Sequence, residues 1–493
     1  MPRAIINFPA SIQPGIAPVA SSSSLPAPSS ATYTHAAALN AARKVLEPEG
    51  WEVLDGALRS NEEEKDADLY LTDYDLLPFE KLLPGASPSG NQSQFSSYVI
   101  RKALIRKHHL AHTLHLHSVK QQGSTAATPS TIKGKGKERT AQECAPQTWH
   151  FELQFADELD ELLMDDLYDL KELLDENEAR KGPEGGGEDI DISPPRIEHR
   201  WFILKPGMSD RGHGIRIFDS ESMLRDIFEE LEHAESDEEE ADDDEEDSGK
   251  GGMLGQLRHF VIQEYISRPL LLDPPRPNGI DEASSSKGRK FHLRAYVLCV
   301  GGLQVYLFDE MLALFAPVPY ASPSEASPSG EAATGSVDLR AHLTNTCLQS
   351  EDNPERDGRP TEENVHLWSD LDGVNVFPVD DHSIPSPSGQ LSEAQISQVL
   401  QEVAKTVGQV FEACAKAGSV HWQMWPNAWE IFGVDMLVGW DADDEGDDDS
   451  LRTWLLEINA VSDRARFQWC ALLTSLVHTS PYSNRTLSRL VID

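Results

Sequence analysis

The chain has 493 residues, 39% apolar and 25% charged, which leaves room for a large core and for two or three domains. Its 42 basic residues face 83 acidic ones, a formal charge of −41, which opposes nucleic-acid binding because that depends on Lys and Arg displacing counterions. No window approaches 18 apolar residues, and the N-terminus lacks a basic stretch followed by an apolar one, so neither a membrane span nor a secretory signal is expected.

In chain order, residues 1–36 read as a disordered N-terminal arm, rich in Ser, Ala and Pro from about residue 8. Residues 37–51 read as a short helix. The most basic segment is 98–110, where apolar and basic residues interleave at helical spacing, and 121–140 reads as a flexible loop. Apolar residues at 151, 155, 159, 162, 163, 167, 170 and 174 then form a helical stripe with an acidic opposite face. After a Gly/Pro-rich break the character changes. Short runs rich in Val, Ile and Phe at 201–204, 260–266, 291–300, 303–308, 431–437 and 453–458 predict strands of a covered sheet. A helix is predicted over 392–417, opened by the capping box of Ser392 and Gln395 and closed at Gly418. Insertions at 232–252, 321–336, 351–364 and 441–449 are acidic or Ser/Pro-rich and read as solvated, disordered segments; a docking strip for a basic partner is the other reading. Five dispersed cysteines without a CxxC pair argue for reduced thiols and a cytoplasmic protein. The expected organisation is the arm, an N-terminal and central module at 37–195, and an α/β core at 196–493.

Three stretches carry chemistry. Lys205 ends a predicted strand and precedes a loop holding Gly212 and Gly214, which let backbone approach an anion; an ordinary glycine turn would give the same pattern. The run from Val261 ends in Gln263, Glu264, Tyr265 and Ile266, then meets a proline at 269, so it is either an edge strand or one whose free backbone groups meet a nucleotide base. Glu457 and Asn459 stand two apart on one strand, hence on one face, with Leu456 and Ile458 expected on the other; Asp435 lies on the strand before. Carboxylates and a carboxamide are oxygen ligands suited to Mg²⁺, although Lys or Arg partners would also satisfy the acids.

The order of these stretches resembles the tubulin-tyrosine ligase family, a branch of the ATP-grasp superfamily. Seven blocks carry the resemblance: Gly212-His-Gly-Ile215, Ile262-Gln-Glu-Tyr-Ile266, Pro269-Leu-Leu271, Lys290-Phe-His-Leu-Arg294, His342-Leu-Thr-Asn345, Glu430-Ile-Phe-Gly-Val-Asp435 and Trp454-Leu-Leu-Glu-Ile-Asn459. The resemblance implies an ATP-grasp-like α/β (α+β) fold with mixed sheets and flanking helices, and ATP and Mg²⁺ as cofactors. It implies Lys205 and Lys290 on the phosphates, the Gly212–Gly214 loop as a lid, and Gln263 to Ile266 with His292 around the nucleotide. It further implies Arg294 at the acceptor carboxylate or the transferred phosphoryl group, Asn345 facing the phosphates and metal, His342 and Thr344 positioning the His342–Asn345 loop, and Asp435, Glu457 and Asn459 on the metal. The activity implied is ATP-dependent ligation of a free amino acid to a protein or peptide carboxylate through an acyl phosphate.

Two positions depart from the family's wording. His292 replaces the Asp of its "KF-D-IR" segment, and Leu314 stands where many members have the Arg of "LRFA". Both lie on the acceptor side, and the net charge opposes an acidic tubulin tail as acceptor. The alternative expectation is therefore a TTL-like scaffold that binds ATP or proteins without ligation. The wording is similar to a fungal branch of the family, one of whose members is associated with mRNA-processing bodies.

Overall fold

The computed structural model describes residues 1–8, 30–56, 66–82, 92–125, 139–181, 199–208, 212, 214–240, 258–274, 288–323, 337–344, 364–379, 387–441, 450–460 and 487–490. The chain starts with β1 (Arg3–Asn7), α1 (Ser30–Leu46), β2 (Glu52–Asp55), β3 (Leu69–Thr72) and β4 (Gln94–Phe95). These strands form a parallel sheet in the order β2-β1-β3-β4. The basic segment becomes two helices, α2 (Lys102–Ile105) and α3 (Lys107–Thr125), separated by the extended backbone of Arg106. Next come β5 (Thr148–Glu152), α4 (Leu159–Met164), α5 (Tyr168–Lys181), β6 (Phe202–Pro206), β7 (Arg216–Phe218), α6 (Glu221–Glu240), β8 (His259–Glu264) and β9 (Leu271–Leu272). The last part holds β10 (Phe291–Val300), β11 (Gln304–Phe308), β12 (Leu312–Phe315), β13 (Val365–Leu367), β14 (Asn375–Phe377), β15 (Gly389–Gln390), α7 (Glu393–Ala417), β16 (Trp429–Trp440), β17 (Leu451–Ala460) and β18 (Leu487–Leu490).

Two sheets make the walls of the central cleft. The smaller is antiparallel, in the order β5-β8-β6-β7. In the larger, β10 pairs β12 through its first half, β11 through its second, and β16 along its whole other edge; β17 follows β16. Period-two alternation explains how β10 serves two surfaces at once. Phe291, Leu293, Ala295 and Val297 enter the main core, while Lys290, His292 and Arg294 stand on the opposite face. Helix α7 packs beneath that core through Val399, Val403, Val407, Val410, Phe411 and Cys414. Its first turn is closed as predicted, with the Ser392 hydroxyl accepting from the Gln395 amide.

Several expectations change. Residues 3–7, assigned to a disordered arm, form the strand on which the N-terminal sheet is built, because Ala4 and Ile6 bury completely against α1. Helix α1 runs 30–46 rather than 37–51, and the chain enters β2 at Glu52. The stripe from 151 to 174 is not one helix. Phe151 sits in β5, Phe155 is exposed, and the leucines from 159 onward line α4 and α5 in a core shared with β6 and β8. Helix α3 continues to 125, into the expected loop at 121–140, and α6 continues to 240, into the insertion at 232–252. Strands on either side of the boundary placed at 195 share one sheet, since β5 pairs β8. The remaining 241–252, 324–336, 351–363 and 442–449 lie outside the described residues. Among the described residues, no helix is long and apolar enough to cross a membrane.

Candidate active site in the cleft between two sheets

A cleft open to solvent, about 830 Å³ with its mouth included, lies between the two walls. From the smaller sheet it is lined by Lys205, Gln263, Glu264, Tyr265 and Ile266, with Gly212 at the rim. From the larger it is lined by Lys290, His292, Asp435 and Glu457, and from the intervening loop by His342 and Thr344. Thus residues as far apart in the sequence as Lys205 and Glu457 line one cleft. Asn345 lies outside the described residues.

Lys205 leaves the end of β6 and is 7% exposed. Its Nζ donates to Gln263 Oε1 at 2.5 Å, and Gln263 in turn donates to Thr148 Oγ1 at 3.2 Å. Lys290, equally buried, donates to the Tyr265 hydroxyl at 3.0 Å, which meets His342 Nδ1 at 2.8 Å. Burial pushes Lys205 down to about 8. Burial, with Lys205's charge behind it, pushes Lys290 down to about 7. Two buried lysines whose hydrogen bonds go to neutral acceptors form a site suited to an anion, which would favour their charged forms. Gly212 and Gly214, on the loop after β6, have φ of 81° and 72°, and a Cβ on Gly214 would come 2.8 Å from Pro206 Cγ. That loop therefore needs glycine at 214 both for backbone angle and for space.

The acids sit on the other wall. Asp435 pairs across the sheet with Arg294 on one side and Glu457 on the other. Arg294 grips both oxygens of Asp435, Nη2 to Oδ2 at 2.7 Å and Nε to Oδ1 more tightly still. Burial lowers Arg294's affinity for its proton, but the Asp435 carboxylate outweighs it, so the guanidinium stays charged. Asn459 Nδ2 donates to Asp435 Oδ2 and Glu457 Oε1, each at 3.1 Å. Glu457 also meets Lys107 Nζ at 3.1 Å. Burial would raise the Glu457 carboxyl, yet Lys107, Lys205 and Asn459 hold it well below the usual range. The register slips after Asp435, so that Met436 faces Leu455 and Leu456 is the extra residue. This bulge turns Leu456 into the cleft beside Glu457 and corrects the expectation that it faces away.

The donor set fits a hard divalent cation. Two carboxylates and a carboxamide converge within hydrogen-bond distance of one another, and amide reorientation would present Asn459 Oδ1 in place of Nδ2. It also fits a polyphosphate. Lys107, Lys205 and Lys290 line the cleft together, and the last two are hydrogen-bonded to neutral groups that a phosphate can displace.

His292 and Leu314, the two departures, turn out to be direct cross-strand neighbours, with Leu437 on the other side of His292. His292 Nδ1 lies 2.5 Å from Thr344 Oγ1, and burial keeps the imidazole neutral despite the attraction of Asp435. His342 is likewise held neutral, near 3, by burial and then by Lys290. Glu264 points toward Arg200 at 3.9 Å, at the outer edge of the cleft.

Lys107, the Tyr265 hydroxyl and the Gln263 side chain were not anticipated in these roles. The basic segment was visible, but nothing in the sequence links Lys107 to an acid 350 positions later; only the fold does.

The sequence profile of the tubulin-tyrosine ligase family matches residues 162–466. A protein of Schizosaccharomyces pombe named "probable tubulin–tyrosine ligase C12B10.04" is 33% identical over 373 residues, 74% of this chain and 70% of that protein. Saccharomyces cerevisiae "probable tubulin–tyrosine ligase PBY1" is 32% identical over 399 residues, 79% of this chain but 42% of the longer yeast protein. The C-terminal domain of K. lactis Pby1, an ATP-grasp enzyme interacting with the mRNA decapping enzyme Dcp2, superposes with a TM-score of 0.54 at 22% identity over the full length of both chains. The fold is that of the ATP-grasp enzymes, and the chain belongs to the tubulin-tyrosine ligase family, in its fungal branch.

Proposed function

We propose that the protein is an ATP- and Mg²⁺-dependent ligase that joins an amino acid to a protein or peptide carboxylate through an acyl phosphate. The observation that carries this reading is the pair of buried lysines bonded to neutral groups, set opposite the cluster of Asp435, Glu457 and Asn459. Lys205 and Lys290 bind and orient the phosphates. Arg294 is placed to turn from Asp435 to the transferred phosphoryl group or the acceptor carboxylate. Asp435, Glu457 and Asn459 would hold Mg²⁺, which supplies Lewis-acid neutralisation of the phosphate oxygens when bound. In the first step the bond from the γ-phosphorus to the bridging oxygen breaks toward ADP as a carboxylate oxygen bonds phosphorus. In the second, the free amine attacks the acyl carbon, inorganic phosphate leaves with the bonding pair, and the amine proton is released. The buried Lys290, Tyr265 and His342 array and the glycine loop keep water from the intermediate.

The scaffold reading is favoured by His292 and Leu314 on the acceptor side. By analogy with the K. lactis neighbour, we further propose a cytoplasmic role beside the mRNA-decapping machinery. An ATP-turnover assay with Mg²⁺, offering Tyr, Glu or Gly with acidic-tailed peptides, separates these. ADP release dependent on both amino acid and peptide, and abolished in Glu457→Ala, supports ligation. Nucleotide binding without turnover supports the scaffold.

A further inference from the structure

His292 has one ring nitrogen too many for the contacts it makes. Its Nδ1 meets Thr344, but Nε2 is buried without a hydrogen-bond partner, and the acid facing it, Asp435 Oδ1, is 3.6 Å away. Buried unpartnered nitrogens are rare and costly, so such a group calls for a partner in another state of the protein. The flanking cross-strand residues, Leu314 and Leu437, offer none. The tautomer follows from the surroundings. A lone pair on Nε2 would face a carboxylate and be repelled, whereas an N–H is attracted; the Thr344 hydroxyl therefore donates to Nδ1, and Nε2 carries the proton.

Asp435 supplies the other state. Arg294 now takes one lone pair on each of its oxygens, and the guanidinium cannot turn fully to a phosphoryl group while it keeps both bonds. One contact has to open when ligand arrives. We propose that His292 is a positioning residue for Asp435: as Arg294 turns away, Nε2–H closes onto Oδ1 and leaves Oδ2 directed at the cation. The required movement is small, from 3.6 Å to about 3.0 Å for a normal bond. A neutral donor suits the task because it orients the carboxylate without cancelling the charge that the cation needs. An acid at this position would repel Asp435 instead. The departure from the family's Asp is thus a different way of holding the same ligand, and Leu314 beside it removes the basic neighbour that an acid would have required.

This inference rests on the nucleotide and cation reading above, and the test separates the two. Binding of Mn²⁺ to the full chain, saturated with β,γ-methylene ATP, is followed by the electron paramagnetic resonance of free Mn²⁺ for wild type, His292→Leu and His292→Gln. His292→Leu is expected to weaken Mn²⁺ binding by roughly tenfold or more, the range for groups that orient metal ligands, and the glutamine amide to restore it to within about threefold. Thr344→Val, which frees the tautomer, shifts it in the same direction and serves if His292→Leu does not fold. Unchanged Mn²⁺ affinity in His292→Leu or, failing that, in Thr344→Val overturns the proposal, as does His292→Gln binding as weakly as leucine. Wild type that binds neither analogue nor Mn²⁺ overturns the nucleotide reading as well.

Discussion

The two walls of the cleft solve different electrostatic problems. The smaller sheet contributes Lys205 to the centre and satisfies it with the neutral amide of Gln263. The larger sheet contributes both carboxylates and pairs each with a cation, Asp435 with Arg294 and Glu457 with Lys107. Lys205 on the first wall and Lys290 on the second are thus hydrogen-bonded to neutral groups, while the two acids are paired and must exchange partners to accept a cation. Neither wall is a complete site. The lysine of one wall and the acids of the other meet where α3 packs against β5 and β8 on one side and α7 on the other, carrying Lys107 to Glu457.

The division can be broken from either side. Glu457→Ala has the largest expected effect, because it removes a proposed cation ligand and the carboxylate that Lys107 meets. Mg²⁺-dependent ATP turnover should fall at least about 100-fold, in the range for removal of one transition-state electrostatic group. Binding of ATP without a divalent cation should change little. Lys205→Met acts on the other wall: ATP affinity measured by calorimetry should fall roughly 10- to 100-fold with and without Mg²⁺, the worth of one charge-assisted bond. If both variants lose the same fraction of affinity under both conditions, the walls do not divide the work.

A smaller effect follows from Lys290, held near 7, and Lys205, held near 8, in the free cleft. Phosphates favour the charged form and raise both values on binding. Between pH 7 and 10 the empty site is therefore short of protons that the complex holds, so ATP affinity falls as pH rises and binding takes protons up. Titrations at pH 8 in buffers of different ionisation enthalpy should report uptake of roughly one to one and a half protons per nucleotide. Proton release would contradict the assignment.

The mildest perturbation concerns the seam between the walls. His108 of α3 stacks on His259 of β8 at 4.4 Å between ring centroids, and His109 on His421 at 4.1 Å. Burial is the main reason that His108 is held near 3 and His109 near 4, with neighbouring imidazoles adding to it. Both values lie below the unfolded one, so the stability they confer is whole above about pH 6.5 and is lost as pH falls toward 4. The melting temperature should drop across that window, and His108→Leu should flatten the drop.

Much of the larger wall was legible in advance. The strands β10, β16 and β17 and the helix α7 follow simple periodicity, and Lys290, His292 and Arg294 share a face by alternation alone. What escaped was set by partners distant in the chain. A strand at 3–7 is too short to announce itself without the sheet it joins. The bulge at Leu456 interrupts the alternation through register, not composition. Phe151 belongs to a strand although its spacing continues a helical stripe, because the sheet edge at β8 outweighs local pattern. The histidines of α3 read as polar positions on a helix until β8 and the turn after α7 stack against them.

The most direct test of the central claim is a crystal soaked with Mn²⁺ and β,γ-methylene ATP, with the metal located by its anomalous scattering. The account predicts a peak at roughly 2.1–2.3 Å from oxygens of Asp435, Glu457 and Asn459, with the phosphates on Lys205 and Lys290 and Arg294 released from at least one oxygen of Asp435. Phosphates bound away from the two lysines, or a metal held by residues outside this set, would contradict it.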